Sequence, residues 1–114
     1  MKDTFNFSHN YYKFERPIFS TIRGTDACLQ YKIGQIVKIK INRRLIGTAK
    51  IVNKTQSAIR DISIDFLKMD AEYPGREINS HQDFCDLLNE FRRFNKLNVN
   101  SEVSVFFLEW VERV

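Results

Sequence analysis

The stretch Glu102–Val111 constrains the fold more than any other part of this chain. On an extended strand, side chains alternate between faces with period two. Val103, Val105 and Phe107 therefore fall on one face, and Phe106, Leu108 and Trp110 on the other. A strand that is apolar on both faces has to be covered on both sides. In 114 residues, the length of one domain, the simplest solution is a small barrel with helices packed against it. Hydrophobic residues make up 43% and charged residues 28%, globular values that exclude wholesale disorder.

The other strands are read from period and punctuation. Ile18-Phe19-Ser20-Thr21-Ile22-Arg23 follows Pro17, stops at Gly24, and is rich in β-branched and aromatic residues. Thr25 to Lys32 reads as a loop. From Gln35 to Ile41, Val37, Ile39 and Ile41 alternate with Lys38 and Lys40, which puts the aliphatic residues on one face and both lysines on the other. Asn42-Arg43-Arg44 connects this strand to a returning one, Leu45 to Asn53, in which Gly47 marks a bulge or a close approach. A further strand is read near Thr55 to Arg60.

Two helices follow. Ser63 caps the first, with Asp65 in its first turn and Ile64, Phe66, Leu67 and Met69 at partial helical spacing. Tyr73-Pro74-Gly75-Arg76 has the residue order of a type II turn. Ser80-His81-Gln82-Asp83 then resembles a capping box, and Phe84, Leu87, Leu88, Phe91 and Phe94 form one apolar stripe. Arg92, Arg93 and Lys96 complement the dipole at its C-terminal end. Residues 1–15, dense in Phe and Tyr, are expected to pack on or beside the barrel, lying across it with a short strand or a helical turn. The expected fold is α+β, a small β-barrel flanked by two helices, in a single domain spanning residues 1–114.

Several function classes are excluded by what the sequence lacks. No apolar run approaches the about 20 residues of a membrane span, and the first ten residues have no apolar core of a secretion signal. A cytoplasmic protein with no membrane partner is expected, taken as a monomer. Cys28 and Cys85 are far apart, and with only His9 and His81 to join them no metal and no cofactor are expected. There is no glycine-rich phosphate loop and no Ser/His/Asp set.

The charge distribution points to an anionic partner. Residues 1–57 carry eleven Lys/Arg against three Asp/Glu, a net +8, while residues 58–114 carry seven against eleven, a net −4. A basic half fits RNA or a nucleotide-like anion. Arg23 at a strand end offers planar, bidentate recognition of phosphate, with an internal ion pair to Asp26, Asp70 or Glu72 as the plainer reading. Lys38, Lys40, Arg43 and Arg44, joined by Lys50, form a candidate phosphate track, although such residues also serve as a solvated strand face. Tyr11, Tyr12 and Tyr31 are candidates for base stacking, whereas Trp110 is read as core.

Four segments together resemble the ASCH domain, a member of the PUA-like group of small β-barrels. They are Ser20-Thr21-Ile22-Arg23, Tyr31-Lys32-Ile33-Gly34-Gln35, Ile46-Gly47-Thr48-Ala49-Lys50-Ile51 and Phe107-Leu108-Glu109-Trp110, and the resemblance runs over roughly residues 16–111. The family pattern GxKxxExR, with its Arg set on Arg23, places Thr21 at the Glu position, Ile18 at the Lys position and Arg16 at the Gly position. Members that hydrolyse the amide of acetylated cytidine carry Thr there, paired with the Lys and a carboxylate from the following helical region. The resemblance thus implies an RNA-binding module with a cleft between barrel and helices. It offers as an alternative an amidohydrolase of the N4-acetylcytidine type, in which Thr21 is the nucleophile and Glu72 or Asp70 the acid/base partner, though Ile18 removes the family lysine. A second alternative is a non-catalytic protein-interaction domain.

Overall fold

The alternating segment and its return build the expected hairpin. A computed structural model, which describes residues 2–91 and 96–114 without the side chain of Phe91, pairs β3 (Ile36–Ile41) antiparallel with β4 (Arg44–Ala58). The connection is only Asn42 and Arg43, both at positive φ (48° and 69°), the twist that a two-residue type I′ turn gives a hairpin. Val37 and Ile39 point to the core, and Lys38 lies on the opposite face. β4 continues unbroken to Ala58, so the strand read separately near Thr55 is the second half of β4.

β4 is long because β5 (Glu102–Arg113) accompanies it from Ala58↔Glu102 to Gly47↔Arg113, with register shifts that bend the pair. At Gly47 the backbones of β4 and β5 come close. A side chain there would overlap the Glu112 carbonyl oxygen and stand 2.9 Å from Trp110 Cζ3. On its other edge β5 pairs antiparallel with β2 (Ile18–Arg23).

The two apolar faces of β5 serve two cores, as the sequence requires. Phe106 and Leu108 pack with Phe5, Phe19, Tyr31, Val37, Ile39 and Ile51 inside the curl of the sheet. Val103 and Val105 pack with Ile22, Leu67, Ile78, Phe84 and Leu87 beneath the helices. Ser63 caps α2 (Ile64–Ala71), its hydroxyl accepting from the Phe66 N–H at 3.2 Å. At α3 (His81–Phe91) the Ser80 hydroxyl accepts from the Asp83 N–H at 3.0 Å, while the Asp83 carboxylate reaches one residue further back, to the Asn79 N–H at 2.9 Å. Gly75 sits at φ +89° with the Arg76 N–H on the Tyr73 carbonyl, the type II turn expected. The last part of the α3 stripe (Phe94 and the Phe91 side chain), together with Arg92 and Arg93, lies outside the described residues.

One segment differs from expectation. The stretch read as a loop holds a one-turn helix, α1 (Ala27–Gln30), tied down where Lys54 Nζ donates to the Cys28 and Tyr31 carbonyls at 2.7 and 2.9 Å. Four residues are too few to show a helical period, and the tie comes from another strand. The N-terminal segment holds both of the alternatives expected of it, the short strand and the helical turn. β1 (Thr4–Phe7) is one of its strands, parallel to β3, and is followed by a 3-10 turn at Tyr12–Glu15.

The sheet order is β1-β3-β4-β5-β2, and the sheet is a curled half-barrel in which the edge strands β1 and β2 do not pair. No helix among the described residues is long and apolar enough to cross a membrane.

Phe106 is fully buried at the centre of the sheet core, so Phe106→Ala is expected to cost about 3–5 kcal/mol in urea unfolding. Leu29→Ala, at a residue 89% exposed, is expected to stay within about 0.5 kcal/mol of the native protein.

Candidate functional site

The gap between β1 and β2 is a cleft of about 620 Å³, within the size range of small-ligand sites. β1 supplies Asn6 and Phe7 to its walls, and β2 supplies Thr21, Ile22 and Arg23. Asp70 and Ala71 of α2 and Leu87 and Leu88 of α3 close its back, and Arg43 of the hairpin turn stands at its rim.

Arg23 spans the gap. Its Nη2 donates to the Asn6 carbonyl at 3.0 Å and its Nε donates to Thr21 Oγ1 at 3.0 Å. Its guanidinium carbon lies 4.9 and 4.7 Å from the ring centroids of Phe5 and Phe7, close enough for a cation–π contribution. The internal ion pair that would have explained this residue away does not form: among the described residues no carboxylate is within ion-pairing distance of Arg23. Burial lowers its pKa, while Tyr31, Asp70 and Tyr11 oppose the shift. An arginine so placed still holds its proton at neutral pH.

A buried cluster forms the floor. Lys13 Nζ lies 3.2 Å from Asp70 Oδ1, with side-chain exposures of 4% and 6%, and the Ser20 hydroxyl donates to the same oxygen at 2.6 Å. Lys13 Nζ is also 5.0 Å from the ring centroids of both Phe7 and Tyr11. The pair meets because the Tyr12 N–H donates to the Glu72 carbonyl, which fastens the 3-10 turn to the end of α2. Burial pushes the Lys13 pKa down, the Asp70 charge draws it back, and the Arg23 charge pushes it down further. Tyr11, half-buried in the cleft wall, has its phenol raised by burial and so remains a donor at neutral pH.

Of the residues singled out from sequence, the fold brings Tyr11, Thr21, Arg23, Arg43 and Asp70 together at this cleft. Thr21 is buried there and accepts from Arg23. Glu72 is not at the cleft. Its carboxylate is engaged at the end of α2, accepting from Lys68 Nζ at 3.1 Å and from the Ile78 N–H at 2.8 Å. Lys38, Lys40 and Lys50 do not line the cleft, since they stand on positions alternating with the buried Val37, Ile39, Ala49 and Ile51 and so face away from the sheet core. Arg44 opens onto a different cleft, because successive residues leaving the turn point to opposite sides of the hairpin. Tyr31 is not an available stacking surface. It is buried, stacked on Phe5 at 4.2 Å, and its hydroxyl donates to the Thr4 carbonyl. Tyr12 is 57% exposed but outside the cleft. Trp110, read as core, is only partly buried: it packs against Phe19 and Phe14 at the edge of the core and also lines a second cleft.

Sequence reasoning missed Lys13 and Ser20. Lys13 sits among aromatic residues with no period to mark it, and its burial depends on the contact between the 3-10 turn and α2. Among the described residues no three His, Cys, Asp or Glu side chains gather closely enough to hold a metal ion.

No family model matches the chain. It is 39% identical over 108 residues to the uncharacterized protein MJ0364 of Methanocaldococcus jannaschii, an alignment that covers 93% of this chain and 94% of the relative. The crystal structure of protein EF3133 from Enterococcus faecalis V583, assigned to family model DUF984, matches 99% of this chain and 78% of its own with a TM-score of 0.63. The identity across that match is 12%, so the likeness is one of fold.

Removing one member of a buried ion pair strands the other, at a cost of about 3–5 kcal/mol, whereas apolar replacement of both is close to neutral. Lys13→Met and Asp70→Leu are each expected to destabilise by that amount in urea, and the double variant by clearly less than either. The pH profile provides a second check. Lys13 is held below its ordinary 10.5 when folded, so between the folded and unfolded pKa values the unfolded chain binds more protons. Stability contributed at this site therefore rises with pH across that interval, and subtracting the profile of Lys13→Met from the native one is expected to reveal the rise.

Proposed function

We propose that this chain, which belongs to one family with MJ0364, is a nucleotide-recognising module that takes one unpaired RNA nucleotide into the cleft between its edge strands. The observation that carries this reading is Arg23, a half-buried guanidinium without a carboxylate partner on the wall of an open cleft. A planar fork of donors in that setting suits phosphate or a base edge. Arg43 adds a second cation at the rim, and the half-buried ring of Tyr11 offers an apolar wall for a base. On the outer face, Lys38, Lys40 and Lys50 contribute attraction that carries no sequence information. At the finer level of identity we assign the domain to the PUA-like, ASCH-type barrels, on the sequence motifs around Arg23 and the match of a curled sheet to a helical layer.

A second reading, an amidohydrolase acting on an acetylated nucleoside, is favoured by Lys13. Ile18, at the family's lysine position, is 48% exposed on the sheet edge and provides no amine. Lys13 brings one into the same cleft from the 3-10 turn, paired with Asp70. In that chemistry Thr21 Oγ1 attacks the acetyl carbon and its proton passes to a neutral Lys13 amine. The C–N bond then breaks as Lys13 returns the proton to the departing amine, and water hydrolyses the acetyl ester left on Thr21. The N–H that Thr21 accepts from Arg23 favours a developing negative charge on its oxygen. Lys13 serves only in its neutral form, the form that burial favours.

Anisotropy titrations of a labelled single-stranded RNA between about 50 and 200 mM salt test the first reading. Affinity is expected to fall with salt at a slope of roughly −0.7 per neutralised phosphate, and Arg43→Asn, which tolerates positive φ, to make the slope shallower by about that amount. Absence of binding at low salt, or binding indifferent to salt, removes this reading. For the second, N4-acetylcytidine is followed by its ultraviolet spectrum. Conversion is expected to stop in both Thr21→Ala and Lys13→Met, and conversion that continues unchanged in Thr21→Ala would falsify the hydrolase reading.

A further inference from the structure

Asn42 lines two clefts at once. On the far side of the hairpin turn from the edge-strand cleft lies a second, of about 590 Å³, whose walls include Asn42, Arg44, Leu45, Trp110 and Arg113, with Glu15 as the one acidic side chain. The turn between β3 and β4 is the partition. Arg43 belongs to the first cleft and Arg44 to the second, on adjacent residues whose Cα atoms are about 3.8 Å apart. Neither guanidinium is engaged in an ion pair among the described residues.

The second cleft has a surface suited to a base. The Arg113 guanidinium carbon lies 4.5 Å from the Trp110 ring centroid. That guanidinium is fixed by donating to the Phe14 carbonyl, and Trp110 Nε1 donates to the same carbonyl at 3.2 Å. A positioned guanidinium over an indole is a stacking platform for a nucleobase. Leu45, 41% exposed, adds apolar surface.

We propose that the second cleft holds the nucleotide next to the one in the edge-strand cleft, so that the ligand is a single strand of at least two nucleotides laid across the hairpin turn. This rests on the reading of the first cleft as a nucleotide site. A strand that crosses the turn from one cleft to the other passes a cation on each side: Arg43 faces its backbone from the first cleft and Arg44 from the second, and the second base stacks on the Arg113–Trp110 pair. A free nucleotide engages one cleft only. A strand engages both, and its second contact is an intramolecular one.

The test uses uridine 5′-monophosphate, adenosine 5′-monophosphate and a six-nucleotide single-stranded RNA of mixed sequence. Trp110 is the chain's only tryptophan, so its emission reports the second cleft. The hexamer is expected to bind at least about tenfold tighter than either mononucleotide, as one added base stack would give, and to quench Trp110, whereas the mononucleotides leave the emission unchanged. Arg44→Ala, at an exposed position where folding is not at stake, is expected to abolish most of that gain and to leave mononucleotide affinity as it was. If the hexamer binds no tighter than the mononucleotides, leaves Trp110 unquenched, or loses nothing in Arg44→Ala, the two-cleft proposal is overturned and the single-nucleotide reading stands. If neither probe binds, both fall together.

Discussion

The cleft of this molecule depends on an incomplete closure. A five-stranded sheet that curls this far has two ways to treat its edges: pair them into a barrel, or leave a gap and cover it. Here β1 and β2 face one another without a ladder, and Arg23 stands in for the missing strand pairing. One guanidinium hydrogen bond to the Asn6 carbonyl, with the Phe5 and Phe7 rings beside it, holds the edges at a distance that a backbone ladder would have eliminated. A ladder fills the space between two strands with their own backbones. A side-chain bridge leaves room for a guest and puts a cation beside that room.

The architecture was legible where it rests on local pattern. The two-faced apolar strand at Glu102–Val111 required cover on both sides, and the two cores on the two faces of β5 meet that demand. The Val37–Ile41 alternation with its short polar connection specified the hairpin, and Ser63 and Ser80 began their helices as caps should. What escaped was set by contacts between elements distant in sequence. β1 is four residues long and parallel to β3, and parallel pairing leaves no turn signature between partners. α1 is held by Lys54 from the middle of β4.

The same division runs through the site. Arg23 and Thr21 were legible because a strand end and a short motif mark them. Asp70 and Glu72 looked equivalent in sequence, two carboxylates at the end of one helix. Their separation is a matter of helix face: Asp70 is turned toward the 3-10 turn, where Lys13 and Ser20 meet it, while Glu72 closes α2 with Lys68 and the Ile78 backbone. Nor could sequence show that Tyr31 stacks beneath Phe5, because that contact joins the end of α1 to an edge strand.

The Lys13–Asp70 pair also decides the sign of the cleft. The basic half of the sequence supplies β1 to β4, and the acidic half supplies α2 and α3, so the boundary between the two layers brings opposite charges to one place. Left alone, Asp70 would answer Arg23 across the cleft and cancel much of its attraction for an anion. Lys13 prevents this. As an ion pair the two groups together carry no net charge, and the Ser20 hydroxyl donates to the same Asp70 oxygen that Lys13 meets. Arg23 and Arg43 are then the cleft cations without an ion-pair partner among the described residues, while the acid at its floor is paired with Lys13. A buried pair of this kind adds little net stability and is costly to break. Its consequence here is electrostatic, for it allows an acidic helical layer to back a cleft walled by Arg23 and Arg43.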